Sequence, residues 1–300
     1  MDETKDTTVI EVEKEKWTTL QFDSQILSAF MACPREMDYK YNQHLIPIGG
    51  PSKSMQKGTL VHEGMKSYYT GMQQGNYHDV NRLLAIDKIK EQSVTQERLE
   101  SEDIADIFRA FEEYWEFRKN DVFNVVFVEQ LFKKIIYEKF PLRIVLTGRI
   151  DLGISDASRI NGITPWDHKS ESESWFYSAL NNQFKIYALA CDSPTLVVNR
   201  FGFQKTVKPE KKFARETLNF EVDVLEEFKE EILPYYAKQM LIAMEDNYFP
   251  PNYTNCIKGH FSCNFSDKHS GGICNITREL RAEKVKRYFI EREWDPKNDA

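Results

Sequence analysis

Asp167, His168 and Lys169 stand in a row in GITPWDHKS, a segment whose β-branched and apolar neighbours otherwise read as a buried strand. A further acid, Asp151, lies in LTGRIDLGI, which has the same character. Side chains alternate along a strand with a period of two. Asp167 and Lys169 therefore share one face, with Trp166 and His168 on the other. Asp151 and Arg149 point away from Leu146, Gly148, Ile150, Leu152 and Ile154. If the two strands are neighbours, two carboxylates and an ammonium meet in a half-buried place. Acids so confined repel each other and resist ionisation unless a cation lies between them. Oxygen donors suit Mg2+ or Mn2+. Such an ion stabilises charge developing on a phosphate during in-line displacement, and the lysine can orient or acidify an attacking water. That chemistry cuts a phosphodiester; the plainer alternative is an Asp–Lys ion pair on a sheet face. GTLVH adds Gly58 and His62, and QFKIY adds Gln183 and Tyr187 at i, i+4 on one helical face.

These groups need rigid elements to hold them. Residues 1–16 are charged without periodicity and read as a mobile tail or a short leading strand. Asp23 and Ser24 form a capping pair before Ile26, Phe30 and Met31 at helical spacing, and Pro34 belongs near a helix start or kink. IPIGGPSKS (46–54) reads as a loop, and MQKGTLVHEGMKSYYTG as a helix closed by Gly71. Two mixed-charge helical stretches, about 79–95 and 101–119, resemble an insertion beside the main core, which makes 17–122 an N-terminal helical region. The pattern then changes. VVFVEQLFKKIIY, LRIVLTGRIDLGI and GITPWDHKS form a strand meander with turns near Pro141 and around Asp156–Gly162. Residues 174–191 are helical by spacing, TLVVNRFGF and ETLNFEV are two more strands, and LEEFKEEILPYYAKQMLIAME is a long amphipathic helix despite Pro234. Segment 123–250 thus carries a core of sheet and helices, and 251–300 a cysteine-bearing segment with a C-terminal helix. The predicted class is α/β, a mixed central β-sheet flanked by helices, in one compact domain.

Composition bounds the functional classes. Hydrophobic residues at 41% and aromatics at 13% suffice for a core without disulfides. No run approaches the roughly 18–20 apolar residues of a membrane span, and the opening residues do not resemble a signal peptide. The expected location is therefore the cytoplasm, with no membrane partner. A net charge of −7 does not suit a protein that coats nucleic acid with its whole surface, but leaves room for a local basic groove. Five cysteines, at 33, 191, 256, 263 and 274, are an odd number for a disulfide framework. Cys191 ends an apolar helix face and reads as core.

Taken in order, GTLVH (58–62), GRID (148–151), DHK (167–169) and QFKIY (183–187) resemble the G-x-x-x-H, G-x-x-D, D/E-x-K and Q-x-x-x-Y series of the RecB-like branch of the PD-(D/E)XK nuclease superfamily. The layout, over residues from about 21 to about 276, is similar to that of the CRISPR-associated iron–sulfur exonucleases and the AddB nuclease domain. The resemblance implies a restriction-endonuclease-like core and a metal-dependent DNA nuclease, an exonuclease by its relatives, working on single strands or DNA ends in recombination, repair, phage DNA metabolism or CRISPR adaptation. It also implies that His62, Asp151 and Asp167 are metal ligands together with the backbone carbonyl of His168, that Lys169 positions the attacking water, and that Gln183 and Tyr187 line the site. Glu129 in FVEQLF stands loosely where the family carries a further glutamate, and reads as an ordinary strand residue. Arg149 either contacts phosphate or pairs with an acid.

The same resemblance gives the cysteines a role. Cys33 before the core and Cys256, Cys263 and Cys274 after it match a set that holds a [4Fe–4S] cluster, for which thiolates are the ligands. The family spaces its last three as C-x2-C-x5-C, whereas the gaps here are six and ten residues. Zn2+ held by Cys256, Cys263 and Cys274 with His260 or His269 is the alternative, and unligated thiols a third. The competing function is a catalytically inactive DNA-binding or scaffold protein that keeps the nuclease-like fold. The aromatics of FRAFEEYWEFRK fit core packing better than a stacking platform for single strands.

Overall fold

The computed structural model describes residues 16–156, 162–171, 177–257, 263–266 and 272–292. The expected tail of 1–16 lies outside them except for Lys16, as do His260 and His269.

A strand opens the described chain, β1 (Thr18–Phe22), and then Asp23 caps α1 (Ser24–Ala32) by accepting hydrogen bonds from the backbone of Gln25 and Ile26. Pro34 starts the short α2 (Pro34–Met37), where its missing N–H costs nothing. A π-helical turn leads to β2 (Leu45–Pro47). Three helices follow: α3 (Lys53–Gln73), α4 (His78–Ser93) and α5 (Ser101–Arg118), the last opened by a reciprocal Glu100–Asp103 capping box. The meander is β3 (Val125–Lys139), β4 (Leu142–Ser155) and β5 (Ile163–Glu171), with a tight turn at Phe140–Pro141. Next come α6 (Asn182–Ala190), β6 (Thr195–Gly202), α7 (Pro209–Lys212), β7 (Arg215–Asn219), α8 (Val222–Glu227) and α9 (Leu233–Glu245). The chain ends in α10 (Tyr253–Ile257), α11 (Arg278–Tyr288) and β8 (Phe289–Glu291), which pairs with β2.

The central sheet is mixed, as expected. Antiparallel β3 runs along one whole edge of β4. The opposite edge is divided: parallel β1 lies beside Leu142–Leu146, and antiparallel β5 beside Leu152–Ser155. Parallel β6 and antiparallel β7 continue the sheet beyond β5. Between Leu146 and Leu152 that edge of β4 pairs with neither strand among the described residues, and Gly148–Asp151 fall in this gap. The sheet therefore splays open where its acids are.

One core cluster lies on the α1, α6 and α9 side, around Phe22, Leu146, Phe184 and Phe228. A second lies on the α3, α4 and α5 side, around Val61, Phe111, Trp115 and Phe201. Phe111, Tyr114 and Trp115 of α5 are fully buried, so the aromatic spacing of that helix is core packing.

Several expectations are corrected. The region 17–122 is not purely helical, because β1 joins the central sheet through pairing remote in sequence. Residues 46–47 extend β2 before the loop begins. Helix α3 runs two residues beyond Gly71, which lies buried against Asn81. Of the stretch 174–191, residues 174–176 lie outside the described residues, and the helix begins at Asn182, where the Asn181 side chain caps Gln183. The long helix around Pro234 passes through a π-helical turn at Phe228–Ile232, and Pro234 sits at the start of α9. Finally, Leu146 and Ile150 face the first cluster but Leu152 and Ile154 the second, so β4 does not keep one alternation throughout.

Candidate active site

The change of face on β4 has a counterpart on β3. Glu129 has a φ of 51°, in the left-handed region that non-glycine residues seldom adopt. Phe127 and Phe132, of opposite parity, consequently both pack on the first cluster. The pairs Val128↔Leu152 and Gln130↔Ile150 bracket this residue, which puts Glu129 across from Asp151. Gly148 of the GRID motif is required by packing: a Cβ there would meet the Phe132 ring at 2.8 Å.

Helix α3 supplies the third group. A Cβ on Gly58 would lie 3.3 Å from Ser170 Oγ, so this glycine lets the helix settle against β5. One turn later His62 reaches the acids, with Nδ1 3.6 Å from Asp151 Oδ2. Ligand atoms of His62, Glu129 and Asp151 all lie within 4.8 Å of one another, a group able to hold a metal ion. Glu129 is the member that the sequence reading set aside. Arg149 pairs with it, Nε to Oε2 at 2.8 Å, which answers which partner that arginine takes in the protein.

Strand β5 brings the remaining groups. Having parted from β4 after Trp166, it turns the His168 backbone N–H to the Asp151 carboxylate, which accepts at 2.6 Å. Asp167 is 1% exposed, and the Lys169 ammonium lies 2.9 Å from its Oδ2 and 3.2 Å from its Oδ1. Lys169 also donates to Gln183 Oε1 at 3.2 Å, and Gln183 Nε2 donates to the Tyr187 hydroxyl at 2.9 Å. Asp167, Lys169, Gln183 and Tyr187 thus form one connected line on the expected face, while the His168 ring goes to the other.

Burial dominates the electrostatics. It pushes Asp167 up to about 6, against the opposing Lys169 ammonium and with help from Asp151. It raises Asp151 as well, and takes Glu129 up to about 8 with the Asp151 charge adding to the effect. His62 is held down to about 4, first by desolvation and then by Lys169. For Lys169 the burial cost is outweighed by Asp167 and Asp151, so its pKa is raised and it stays an ammonium. The pocket therefore crowds three carboxylates that resist joint ionisation around a neutral imidazole and a fixed cation. This donor set, with three ligand atoms within 4.8 Å of one another, fits a hard divalent ion.

Cys33, Cys256, Cys263 and Cys274 are all free thiols. Cys33 Sγ accepts from the Asn252 backbone at 3.3 Å. Burial pushes Cys263 up to about 12 and Cys274 to about 11. Cys256 Sγ donates to the carbonyl of the same Asn252 at 3.8 Å. Cys191 is partly buried on the first cluster, as its spacing predicts.

No curated protein matches the chain. The family model described as the PD-(D/E)XK nuclease superfamily matches residues 24–267, a span that includes all four motifs, every strand of the central sheet except β1, and Cys33, Cys256 and Cys263 but not Cys274. With that match over most of its length and a central mixed sheet flanked by helices, the chain belongs to the PD-(D/E)XK nuclease superfamily.

Proposed function

We propose that the protein is a divalent-metal-dependent DNA nuclease of the RecB-like branch, acting on DNA ends or single strands. The observation that carries this reading is the meeting of His62, Glu129 and Asp151 within 4.8 Å, beside the buried Asp167–Lys169 pair. In this reading His62, Asp151, Asp167 and the His168 carbonyl hold the ion, and Glu129 joins them from β3. When bound, Mg2+ or Mn2+ supplies charge stabilisation at the scissile phosphate and a more acidic water. Lys169, kept protonated by its two acids, orients that water through its N–H groups. Gln183 fixes the ammonium from the far side, and Tyr187 fixes Gln183. Arg149 holds Glu129 and so acts on phosphate at most indirectly.

A [4Fe–4S] cluster on Cys33, Cys256, Cys263 and Cys274 forms part of the same proposal. Its support is the all-sulfur donor set and the meeting of Cys33 and Cys256 on the Asn252 backbone, which favours a four-cysteine group over a zinc site that omits Cys33. Such a group ties α1 to the chain after α9.

The deciding experiment digests end-labelled single- and double-stranded DNA, with blocked and free ends, in Mn2+ or Mg2+ and in chelator. Wild type is expected to cut only with metal, and Asp167→Ala and Lys169→Ala to remain folded and inactive. Equal cutting by wild type and Lys169→Ala removes the proposal. An inactive wild type that still binds DNA favours the scaffold function instead.

A further inference from the structure

The back of the catalytic strand is as organised as the front. In the β5–β6 pair His168 lies opposite Asn199, and the two side chains meet with Asn199 Nδ2 3.0 Å from His168 Nδ1. Asn199 is fully buried. Its amide cannot turn around, because Arg215 Nε donates to Oδ1 at 3.2 Å and an arginine never accepts. The –NH2 end is therefore the one that faces the imidazole, and His168 Nδ1 accepts. Tyr114 of α5 bonds the same amide, with Nδ2 donating to its hydroxyl at 3.0 Å, and it also meets the Tyr69 hydroxyl at 2.8 Å. Arg215 is anchored in turn on Asp121 at 2.5 Å and lies 4.6 Å from the centre of the Trp166 ring.

Helix α3 closes this arrangement. Tyr69 lies seven residues after His62, two turns along the same face, and stacks on the His168 ring at 5.3 Å with planes 13° apart. The helix that brings His62 to the carboxylates thus also clamps the imidazole behind them. His168 has a foot on each side of the sheet: its backbone N–H bonds Asp151 in front, while its ring is held by Asn199 and Tyr69 behind. Rotation of this residue about the strand axis would move the Asp151 contact, the His168 carbonyl and the flanking Asp167 and Lys169 together. Local β4–β5 pairing does not resist it, having ended at Trp166.

We propose that Asn199, oriented by Arg215 and Tyr114, is a positioning residue for the nuclease reaction: it locks the His168 side chain and so sets the backbone that carries the acids and the carbonyl toward the ion. The inference rests on the nuclease reading for its activity measurements, but not for its metal measurement. Partners of this indirect kind typically contribute about 10- to 100-fold to metal affinity or rate.

The test compares wild type, Asn199→Leu and Asn81→Ala, the last removing a fully buried polar group on α4 whose amide donates to the Asn76 carbonyl. Two quantities are read: steady-state DNA cleavage in Mn2+, and the rise in melting temperature that Mn2+ alone produces. For Asn199→Leu, kcat is expected to fall about 10- to 100-fold with KM for DNA within about twofold, and the Mn2+-induced rise to shrink. Asn81→Ala is expected to melt earlier yet keep kcat and the full Mn2+ effect. If Asn199→Leu does not fold, Tyr114→Phe keeps the ring and removes only the hydroxyl; a several-fold loss of kcat is expected there, and an unchanged kcat overturns the proposal. It is likewise overturned if Asn199→Leu keeps wild-type kcat and Mn2+ response, or if Asn81→Ala loses both in the same measure. A wild type that cuts no DNA sinks the nuclease reading alone, since loss of the Mn2+ response in Asn199→Leu still reports the positioning role.

Discussion

His62, Glu129, Asp151 and Asp167 are delivered by a 21-residue helix and three strands of one sheet. Cys33, Cys256, Cys263 and Cys274 sit instead at a helix junction, on a five-residue helix and in two short turns. In both groups burial raises the pKa, of acids in one and of thiols in the other. Their mechanical support differs. Backbone ladders and two large core clusters hold the carboxylates in place whether or not a cation is bound. Cys263 and Cys274 lean on a third, small cluster of Tyr39, Leu45, Phe265, Ile273, Cys274 and Phe289, closed by the three-residue β2–β8 pair. A preorganised site gains function from its ion, whereas a weakly supported one gains structure.

The largest effect expected from this contrast is on rate. Asp167→Ala should cut DNA cleavage by about 1,000-fold, within the range for removing a group that acts on the reacting atoms. Its metal-free melting temperature should hold or rise, because a desolvated carboxylate has been removed. A variant that loses stability along with activity would show that Asp167 supports the fold. Cys274→Ser should behave in the opposite way, with a clearly lower melting temperature and faster proteolysis at the C-terminal end, but cleavage per folded molecule within about threefold of wild type. Iron analysis and absorption near 400 nm after anaerobic purification show what the thiols carry. Colourless, zinc-loaded protein would replace the cluster with zinc, and unchanged stability in the serine variant would remove the clasp altogether.

A smaller effect separates the acids by pH. Glu129 has a folded pKa raised to about 8, so its contribution to stability is fully present below its ordinary carboxylate value and is lost as pH rises through about 8. Asp167 has the same sign but ends near pH 6. His62, held down to about 4, has the opposite sign, with stability lost as pH falls from its ordinary value through about 4. The two overlap and oppose each other below pH 6.5, which leaves the interval between about 6.5 and 8 to Glu129 and to Asp151, also raised by burial and charged beside it. Metal-free protein should lose stability across that interval, and Glu129→Gln should flatten the slope in denaturant titrations. A slope that survives the substitution assigns the titration to another group.

The two regions were also unequally legible in the sequence. Period-two alternation put Asp167 and Lys169 on one face and His168 on the other, because β5 is regular where it matters. The spacing of Gln183 and Tyr187 likewise put them on one helical face, where the structure joins them by a hydrogen bond. Glu129 was not legible as a partner of Asp151. Counting from the turn at Pro141, the first pair, Lys139↔Leu142, places Glu129 opposite Leu152; the irregularity between Ile135 and Tyr137 shifts the register by one residue. Its positive φ is equally invisible in a β-branched run. The place of β1 in the sheet depends on pairing with residues more than a hundred positions away, which no local pattern encodes. For the cysteines, spacing alone left iron, zinc and neither open, since the places of Cys263 and Cys274 are set by tertiary packing around Phe265 and Ile273.

The smallest effects come from one methyl group in each region. In Gly58→Ala the new Cβ would sit 3.3 Å from Ser170 Oγ, tight enough to press α3 off β5 by a few tenths of an ångström. Overpacking of this mild kind costs about 1 kcal/mol. Since His62 rides one turn further along the same helix, the displacement should also raise the Mn2+ concentration for half-maximal cleavage by a few-fold. Gly272→Ala meets a different obstacle, a φ of 47°, and should cost a similar amount, about 1–2 kcal/mol, through backbone strain. That loss lies next to Cys274 and away from the carboxylates, so the Mn2+ requirement should not move. If both variants lose stability but only Gly58→Ala shifts the Mn2+ titration, placement of α3 sets the metal site and the cysteine segment does not. If Gly272→Ala shifts it too, the two regions are coupled through α1 and the first core cluster, and the cysteine group takes part in positioning the acids.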